Sequence, residues 1–164
     1  MRVLTNVIHT FFLCAKKRLF FITVISLTIY LNLFIVRLAI VHGPSMKPTI
    51  EDGSVVLVWQ LPYIVKPGDI VILSSDTPFG TNVVKRVVAI GGQALSIDGN
   101  SIYLDENLIH EPYLYESDWG VDNSIVEVPA GFVFLLGDNR NASKDSRDFG
   151  CIPEDSIMGK VLFH

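Results

Sequence analysis

A serine in a rigid loop and a lysine in an apolar segment are the two residues of this sequence best suited to nucleophilic chemistry. Ser45 stands in HGPSMKPT, residues 42–49, where a glycine and two prolines restrict the backbone and fix the direction of the hydroxyl. Lys85 stands in NVVKRVVAI, residues 82–90, with apolar residues on both sides. Burial disfavours the ammonium, and a neutral amine can take the proton of a serine hydroxyl. These residue types could supply a serine nucleophile and a lysine general base.

Each of these residues also has a structural interpretation. A Gly-Pro-Ser loop is more often a turn than a nucleophile, and the segment lacks the G-x-S-x-G pattern of a nucleophile elbow. A strand lysine often lies at a sheet edge, where it discourages pairing between sheets. His42 is a rival base, but no acid near it in the sequence would orient its ring. Lys47 is another, but Pro48 prevents the helical turn that would aim its amine at Ser45.

A third segment, GDNRNASKDSRDFG at residues 137–150, alternates acids with arginines after the apolar run 132–136. Opposite charges at this density predict ion pairs that stiffen a loop. The residues that can pair are Asp138, Asp145, Asp148, Arg86, Arg140 and Arg147. Ser143 and Ser146 remain as hydroxyl donors.

An apolar segment precedes the three polar ones and predicts a membrane anchor. Of the 164 residues 49% are hydrophobic and 18% charged, which excludes a disordered chain and a nucleic-acid-wrapping one. As a helix, residues 19–41 span about 34 Å, enough for a hydrocarbon core of about 30 Å. We predict a transmembrane helix there, with Arg37 at its outer end. A cleavable signal is the alternative, but its apolar region is only about 7 to 15 residues long.

The distribution of charge orients the predicted anchor. Residues 1–41 hold five basic residues and no acid, whereas residues 42–164 hold eight basic residues and all seventeen acids, a balance of −9. The basic cluster KKR directly precedes the apolar run, so residues 1–18 are predicted to be cytoplasmic and residues 42–164 to lie outside. Cys14 and Cys151 then lie on opposite sides and do not pair, and no Cys/His spacing suits a metal.

Short β-rich runs alternate with turn signals beyond the anchor. The predicted strands are residues 54–60, 69–73, 82–90, 96–97, 101–104, 124–128, 132–136 and 157–163. The turn Asp98-Gly99-Asn100 predicts a hairpin. Regular spacing without a helical period predicts an antiparallel β-sheet or barrel-like domain, so the expected fold class is mainly β behind an N-terminal transmembrane helix.

The three polar segments together, in this order and spacing, resemble the type I signal peptidases of bacteria. The matching residues are Ser45-Met46-x-Pro48-Thr49, Lys85-Arg86-Val87-Val88 and Gly137-Asp138-Asn139-Arg140-x-x-Ser143-x-Asp145-Ser146-Arg147-x-x-Gly150. The resemblance covers nearly the whole chain from the anchor onward. It implies a β-rich, membrane-anchored serine endopeptidase that needs no cofactor. Such an enzyme removes signal peptides from exported preproteins, after small residues, at the outer face of the bacterial plasma membrane.

The resemblance also implies a role for each matching residue. Ser45 matches the nucleophile, Lys85 the general base, and Ser143 a serine that hydrogen-bonds to the lysine amine and orients it. The bracing pairs are Asp145 with Arg147 and Asp138 with Arg86. Candidates for the substrate pocket, which flank the serine and the lysine, are Met46, Val41, Val83 and Val84.

This sequence departs from the family pattern at two places. Many members carry a serine two positions before the nucleophile that helps to stabilise the oxyanion, and here that position is Gly43. The oxyanion hole would then use backbone N–H groups, chiefly that of Ser45. After the lysine the family commonly has glycine and then Pro-Gly-Asp, whereas this chain has Ala89 and Gly91-Gly92-Gln93. The endoplasmic-reticulum branch has histidine where this chain has Lys85, which favours the bacterial type.

The partners implied are signal-peptide-bearing preproteins and membrane lipid, without nucleic acid, while the oligomeric state stays open. Two other functions remain alternatives. One is a membrane-tethered β-module that binds exported chains without cutting them, and the other is a self-cleaving regulator. The complete serine and lysine set argues against the first. The second would need a DNA-binding helical domain, whereas the predicted anchor occupies the space before Ser45. Specialised processing of pilins or conjugation proteins also remains open.

Overall fold

A long helix leads into two antiparallel sheets in residues 2–116, 118–119 and 121–163, which the computed structural model describes. The helices are α1 (Arg2–Phe34) and the short α2 (Ser146–Phe149). The strands are β1 (Val36–Ile40), β2 (Val55–Trp59), β3 (Ile70–Leu73), β4 (Val83–Ile90), β5 (Ala94–Gly99), β6 (Ser101–Leu104), β7 (Asn107–Leu108), β8 (Val121–Glu127), β9 (Phe132–Leu136), β10 (Ile152–Pro153) and β11 (Ile157–Phe163). The larger sheet has the order β1-β2-β11-β3-β4-β9-β10 and the smaller one β7-β6-β5-β8.

The mainly β prediction is confirmed, because each of the eight predicted strands has a counterpart. Those at 101–104, 132–136 and 157–163 coincide with β6, β9 and β11. The predicted hairpin is also confirmed, with Asp98 opposite Ser101 in the β5–β6 pair. The sequence did not reveal β1 or the two-residue strands β7 and β10. Among the described strands the larger sheet keeps β1 and β10 as edges, so the barrel-like alternative is not realised as a closed sheet.

The end of the first helix differs from the prediction. Helix α1 ends at Phe34, and β1 follows after Ile35, so the expectation of one helix over 19–41 is wrong for its last residues. Strand β1 pairs antiparallel with β2, and the Gln60 N–H donates to the Ile35 carbonyl oxygen. A short apolar run suits either a helix or a strand, and the neighbouring β2 provides the hydrogen bonds that select the strand. Arg37 therefore lies in β1 rather than at a helix end.

The membrane anchor is the second point at which the helix and the sequence prediction differ. Among the residues that the structure describes, no helix combines the length and the apolar character that a membrane crossing takes. Cys151 is a free cysteine, which agrees with the prediction that it does not pair with Cys14, whose side chain lies outside the described residues.

Three apolar clusters support the strands that carry the polar segments. One lies beneath the loop that holds Ser45 and consists of Val41, Met46, Ile50, Val56, Val58, Ile70 and Val161. A second includes Val71, Leu73, Val87, Val133, Leu135 and Ile152 from the larger sheet. A third joins β4 and β9 to the smaller sheet and includes Val88, Ala89, Leu95, Ile97, Ile102 and Leu136. Because these positions are close-packed, the strand ends that carry polar residues have little freedom to move.

Strand β4 carries Lys85 through the middle of the larger sheet, between β3 and β9. Lys85 is buried, with 3% of its surface exposed, so the alternative of a lysine at a sheet edge is excluded. A register shift between Val87 and Ala89 breaks the alternation of faces that a regular strand would have. As a result Val88 and Ala89 both pack in the third cluster instead of facing opposite sides.

Candidate active site

The loop between β1 and β2 presents Ser45 above an apolar anchor. Met46 is fully buried in the cluster below, and the Ile50 N–H donates to its carbonyl oxygen at 2.9 Å. Gly43 has a φ of 95°, a left-handed conformation that glycine adopts without strain. Its N–H donates to Asp52 Oδ1 at 2.9 Å. The anchored loop leaves Ser45 half-buried, with its hydroxyl beside β4.

The structure brings Lys85 into contact with Ser45. Lys85 Nζ lies 3.0 Å from Ser45 Oγ and donates to it. Burial lowers the pKa of Lys85 from 10.5 to about 8; Asp145 and Asp138 act in the opposite direction, and Arg147 lowers the pKa further. A lysine with this pKa loses its proton at mildly alkaline pH. The neutral amine then faces a hydroxyl at hydrogen-bond distance, which is the geometry of a nucleophile and its general base.

The two bracing pairs predicted from the sequence are present. Arg86 donates to both carboxylate oxygens of Asp138, at 2.7 and 2.6 Å. Arg147 likewise donates to both oxygens of Asp145, at 2.8 and 2.9 Å. Both aspartates are fully buried, and two-pronged contacts of this kind hold a carboxylate in one orientation. The pairs therefore stiffen residues 137–150, here called the polar loop, on both sides of Ser143.

The first turn of α2 fixes Asp145 as its N-cap. The Asp145 carboxylate accepts from the Arg147 N–H, and the Asp148 carboxylate accepts from the Asp145 N–H at 3.0 Å, which completes a capping box. Asp145 Oδ2 also accepts from the Gly137 N–H at 3.1 Å. One carboxylate thus joins α2, the arginine and the end of β9.

The hydrogen bond that the resemblance implies between Ser143 and Lys85 is not formed in this structure. Ser143 Oγ is buried and has no hydrogen-bond partner among the described residues. It packs on Gly137, where an added Cβ would lie 2.3 Å from Ser143 Oγ and 2.5 Å from the Ser45 carbonyl oxygen. Only glycine allows both residues to approach the backbone at that point. The orienting role of Ser143 therefore stays a prediction.

A cavity of about 350 Å³ lies between β1 and the start of β4. Val41 and Val84, two of the four pocket candidates, line it together with Ala39, Ile72 and Arg37. The other two candidates lie elsewhere. Met46 is buried in the cluster beneath the loop, and Val83 packs against the second cluster and lies opposite Leu73 in the β3–β4 pair.

The two rival bases lack the geometry for the task. Lys47 forms an ion pair with Glu51 at 2.9 Å, and this hydrogen bond raises the pKa of Lys47, so its amine keeps its proton. His42 is exposed to solvent, and among the described residues no carboxylate hydrogen-bonds to its ring. Lys85 is thus the better placed base. No group of three or more His, Cys, Asp or Glu side chains within the described part of the chain is arranged to hold a metal ion.

Several residues to which the sequence analysis assigned no role complete the site. Thr49 donates its hydroxyl to Asp138, and the Asn139 N–H donates to the Ser45 carbonyl oxygen at 3.1 Å. Glu111 and Tyr113, in an irregular segment after β7, contact the arginines of the site. Thr49 was visible as part of the first motif. Glu111 and Tyr113 had no signal, because neither periodicity nor spacing connects them to residues that they meet only in the fold.

Comparisons with known proteins agree on one family. Residues 14–164 match the family described as signal peptidase, peptidase S26. A probable signal peptidase I-1 from Synechocystis sp. is 32% identical over 147 residues, which covers 84% of this chain and 74% of that protein. A signal peptidase I from Bacillus caldolyticus is 32% identical over 81% of each chain. The crystal structure of a signal peptidase I from Enterococcus faecalis has a TM-score of 0.54 and 25% identity, and covers 61% of this chain and 98% of that one.

Proposed function

Because this chain belongs to the signal peptidase family, peptidase S26, and is therefore a serine peptidase, we propose that it cleaves signal peptides with Ser45 and Lys85 as its dyad. The observation that carries the proposal is the 3.0 Å contact between Lys85 Nζ and Ser45 Oγ, with the amine buried. The substrates are exported preproteins, as the names of the relatives imply. The assignment of the dyad rests on this geometry together with the matching motifs.

The proposed reaction is acyl transfer through an ester on Ser45. Neutral Lys85 takes the hydroxyl proton while Ser45 Oγ bonds to the peptide carbonyl carbon, and the proton then passes to the nitrogen of the leaving amine. Water, deprotonated by the same amine, hydrolyses the ester and restores the hydroxyl. Ser143, close to Ser45 and without a partner among the described residues, would accept from or donate to Lys85 after a rotation of its hydroxyl.

The oxyanion is proposed to bind to backbone N–H groups. Gly43, at the position where many family members carry a serine, offers no side chain, and its N–H already donates to Asp52. The Ser45 N–H is the donor that we assign. Removing one oxyanion donor from a serine peptidase costs about 3 kcal/mol, so the backbone geometry of this loop bears directly on the rate.

The substrate is proposed to bind as an extended strand along β1. One edge of β1 is unpaired among the described strands, and its residues border the cavity that Val41 and Val84 also line. Main-chain hydrogen bonds would supply affinity there, as in other cases of strand addition. Val41 and Val84 line the cavity, and we propose that their branched side chains favour small residues before the scissile bond.

We further propose that α1 anchors the protein in the bacterial plasma membrane, with residues 1–18 in the cytoplasm and the β domain on the outer face. Charge-free residues 19–36 and the basic cluster before them support this orientation. Apolar side chains that α1 leaves exposed include Leu19, Phe20, Phe21, Ile22, Ile25 and Ile29. In bacterial membranes that contain the full chain, we expect the protein to resist carbonate extraction. Protease added to spheroplasts should remove the β domain; a carbonate-soluble protein would contradict the anchor.

The activity is tested by incubating membranes that contain the full chain with a preprotein whose signal peptide ends in Ala-x-Ala. Wild type should release the mature protein, whereas Ser45→Ala and Lys85→Ala should not. Lys47→Ala is the matched control, because it removes a lysine two residues from Ser45 and should retain cleavage. Binding of the preprotein by Ser45→Ala together with no cleavage by wild type would favour the binding module instead. Cleavage that survives Lys85→Ala but not His42→Ala would overturn the dyad.

A further inference from the structure

We propose that residues 109–116, here called the strap, position the nucleophile loop, and that Glu111 and Tyr113 are its positioning residues. The inference rests on the proposed function, because it concerns how Ser45 is held for reaction. The strap follows β7 of the smaller sheet and crosses to the polar loop at residues 137–150, which follows β9 of the larger sheet. It therefore links the smaller sheet to the residues that hold Ser45.

The first contact of the strap is a buried ion pair between Glu111 and Arg140. Two guanidinium nitrogens of Arg140 donate to the two carboxylate oxygens of Glu111, at 2.5 and 3.2 Å. The side chains are 4% and 1% exposed, so water does not replace either partner. Arg140 Nε also donates to the Gly137 carbonyl oxygen at 3.1 Å. The charge of Glu111 is thus connected to the glycine on which Ser45 and Ser143 pack.

Tyr113 is the second contact, and it lies against the pair formed by Arg86 and Asp138. Its ring covers the Arg86 guanidinium at 3.8 Å, and its hydroxyl donates to Glu111 Oε1 at 2.8 Å. Burial, followed by the nearby charge of Glu111, raises the pKa of Tyr113, so the phenol remains a donor. The Tyr115 N–H adds a main-chain bond to the Asp138 carbonyl oxygen at 3.2 Å. The strap therefore holds Asp138 through both its ion-pair partner and its backbone.

Asp138 and Asn139 pass this restraint to the nucleophile loop. The Asn139 N–H donates to the Ser45 carbonyl oxygen, and the Thr49 hydroxyl donates to the Asp138 carboxylate. These two contacts hold the loop at the nucleophile and four residues beyond it. A shift of Asp138 would therefore move Ser45 relative to Lys85, which sits on a different strand. Misplacement of reacting groups by about 1 Å can cost about a hundredfold in rate.

The strap does not border the proposed substrate cavity. That cavity is lined by β1, β2, β3, the start of β4 and Met158. Substrate binding should consequently be insensitive to the strap, while the chemical step depends on it. The expected signature is a fall in kcat with little change in KM, which differs from the effect of a defect in the cavity.

The experiment compares Tyr113→Leu with Tyr113→Phe in the membrane-bound full chain. Leucine removes the ring over Arg86 and the hydroxyl, whereas phenylalanine keeps the ring and rescues most of the contact. Tyr103→Leu is the matched control, because Tyr103 lies in β6 of the same smaller sheet and takes no part in the contacts of Glu111 and Tyr113 with the arginines. The quantities measured are kcat and KM for preprotein cleavage, with kcat expressed per Ser45 that reacts with a serine-acylating probe, so that unfolded enzyme does not count.

For Tyr113→Leu we expect kcat per reactive site to fall about tenfold to a hundredfold, with KM within about twofold of wild type. Tyr113→Phe and Tyr103→Leu should stay within about threefold of wild type in kcat, because both keep the ring over Arg86. An unchanged kcat for Tyr113→Leu, or an equal fall in Tyr103→Leu, would overturn the role of the strap.

A second readout, hydrogen exchange at the Asn139 amide, does not depend on cleavage. That N–H donates to the Ser45 carbonyl oxygen, so its exchange reports directly on the restraint. Exchange should be faster in Tyr113→Leu and near wild type in Tyr113→Phe. Equal exchange in wild type and Tyr113→Leu would overturn the inference. If the wild type does not cleave preproteins but the exchange rates still differ, the proposed function is contradicted and the role of the strap remains supported.

Discussion

Lys85 and its neighbour Arg86 are both buried on β4, but within the described residues only the charge of Arg86 is compensated by an ion pair. Arg86 gives two nitrogens to Asp138 and lies under the ring of Tyr113. Lys85 has no carboxylate within ion-pair distance among the described residues, and its Nζ contacts Ser45. The arginine therefore keeps its charge with full compensation, whereas the pKa of the lysine falls to about 8.

The contrast shows how a neutral amine can exist in a loop rich in acids. Asp138 and Asp145 are each bound by both prongs of an arginine, so neither carboxylate is available to pair with Lys85. Arg147 adds its own positive charge, which lowers the pKa of Lys85. The ion pairs around Lys85 thus have two effects. They stiffen the loop and, among the described residues, they leave the lysine without a carboxylate partner that would keep its amine protonated.

The largest effect that we expect is the loss of catalysis when the amine of Lys85, which has no ion-pair partner in the described part of the chain, is removed. Lys85→Met keeps the length and apolar stem of the side chain but has no proton acceptor. We expect kcat/KM for preprotein cleavage to fall by at least about 10²- to 10⁴-fold, which is the usual contribution of a general base. Circular dichroism should show an unchanged fold. Retention of a rate within about tenfold of wild type would break the comparison, because the amine would then have no special task.

The variant Asp138→Asn tests whether buried Arg86 depends on its ion pair with Asp138. This change leaves Arg86 buried with no anionic partner, and breaking a buried pair in this way costs about 3 to 5 kcal/mol of unfolding free energy. Urea denaturation measures the loss. Asp155→Asn is the control, since Asp155 is exposed in a short 3-10 turn. A loss below about 1 kcal/mol for Asp138→Asn would mean that the arginine does not depend on its pair.

The pH dependence of stability sharpens the comparison for Lys85. Its pKa is about 8 in the folded chain and 10.5 as the ordinary value, so between these pH values the unfolded chain binds more protons and stability rises with pH. Relative to Lys85→Met, wild type should gain about 3 kcal/mol between about pH 7.5 and 10.5. Denaturation of both proteins across this range measures the difference, and parallel curves would contradict it.

The pH dependence of cleavage is a second test of the pKa of Lys85. The value of kcat/KM should rise with an apparent pKa near 8, because only the neutral amine acts as a base. A rise centred near 10.5 would show that burial does not lower the pKa of Lys85. Lys47→Met serves as the control and should leave the midpoint in place.

The smallest effect is expected at Lys47 itself, the lysine nearest to Ser45 in the sequence. Its ion pair with Glu51 is at the surface, where such pairs contribute little to stability. Lys47→Met should leave kcat/KM within about twofold of wild type, because the Lys47 amine is protonated and only a weak surface contact is lost. A loss comparable to that of Lys85→Met would show that Lys85 had been mistaken for the base.

Much of the larger architecture could be predicted because local chemistry decides it. The strands and the hairpin at Asp98 follow from β-rich runs and turn residues that lie next to one another in the chain. Strand β1 could not be distinguished from a continuing helix, because a short, mostly apolar run suits both and the choice depends on β2. The bulge after Val87 was equally hidden, since it arises from pairing with β9.

The contacts of the site likewise fall into those that the motifs predicted and those that only the fold creates. The motifs around Ser45 and Lys85 predicted that the two would meet, and their atoms lie 3.0 Å apart, while their chemical roles stay predictions. The bond from Ser143 to Lys85 was expected and is not formed. The pair of Glu111 and Arg140 joins residues 29 positions apart, and no local pattern marks either partner for the other. Such contacts depend on how the two sheets meet.

Ile35 is the one residue between α1 and β1, and this short joint limits where the enzyme can work. The five residues of β1 extend about 17 Å, and Ser45 follows the end of β1 by five residues, so only a short stretch of chain separates Ser45 from the end of the helix. If α1 crosses the bilayer as we propose, Ser45 can reach only those peptide bonds that lie within a limited distance of the membrane surface. Selection among exported chains would then depend on depth as well as on sequence, because a chain whose scissile bond emerges too early or too late never comes level with the hydroxyl.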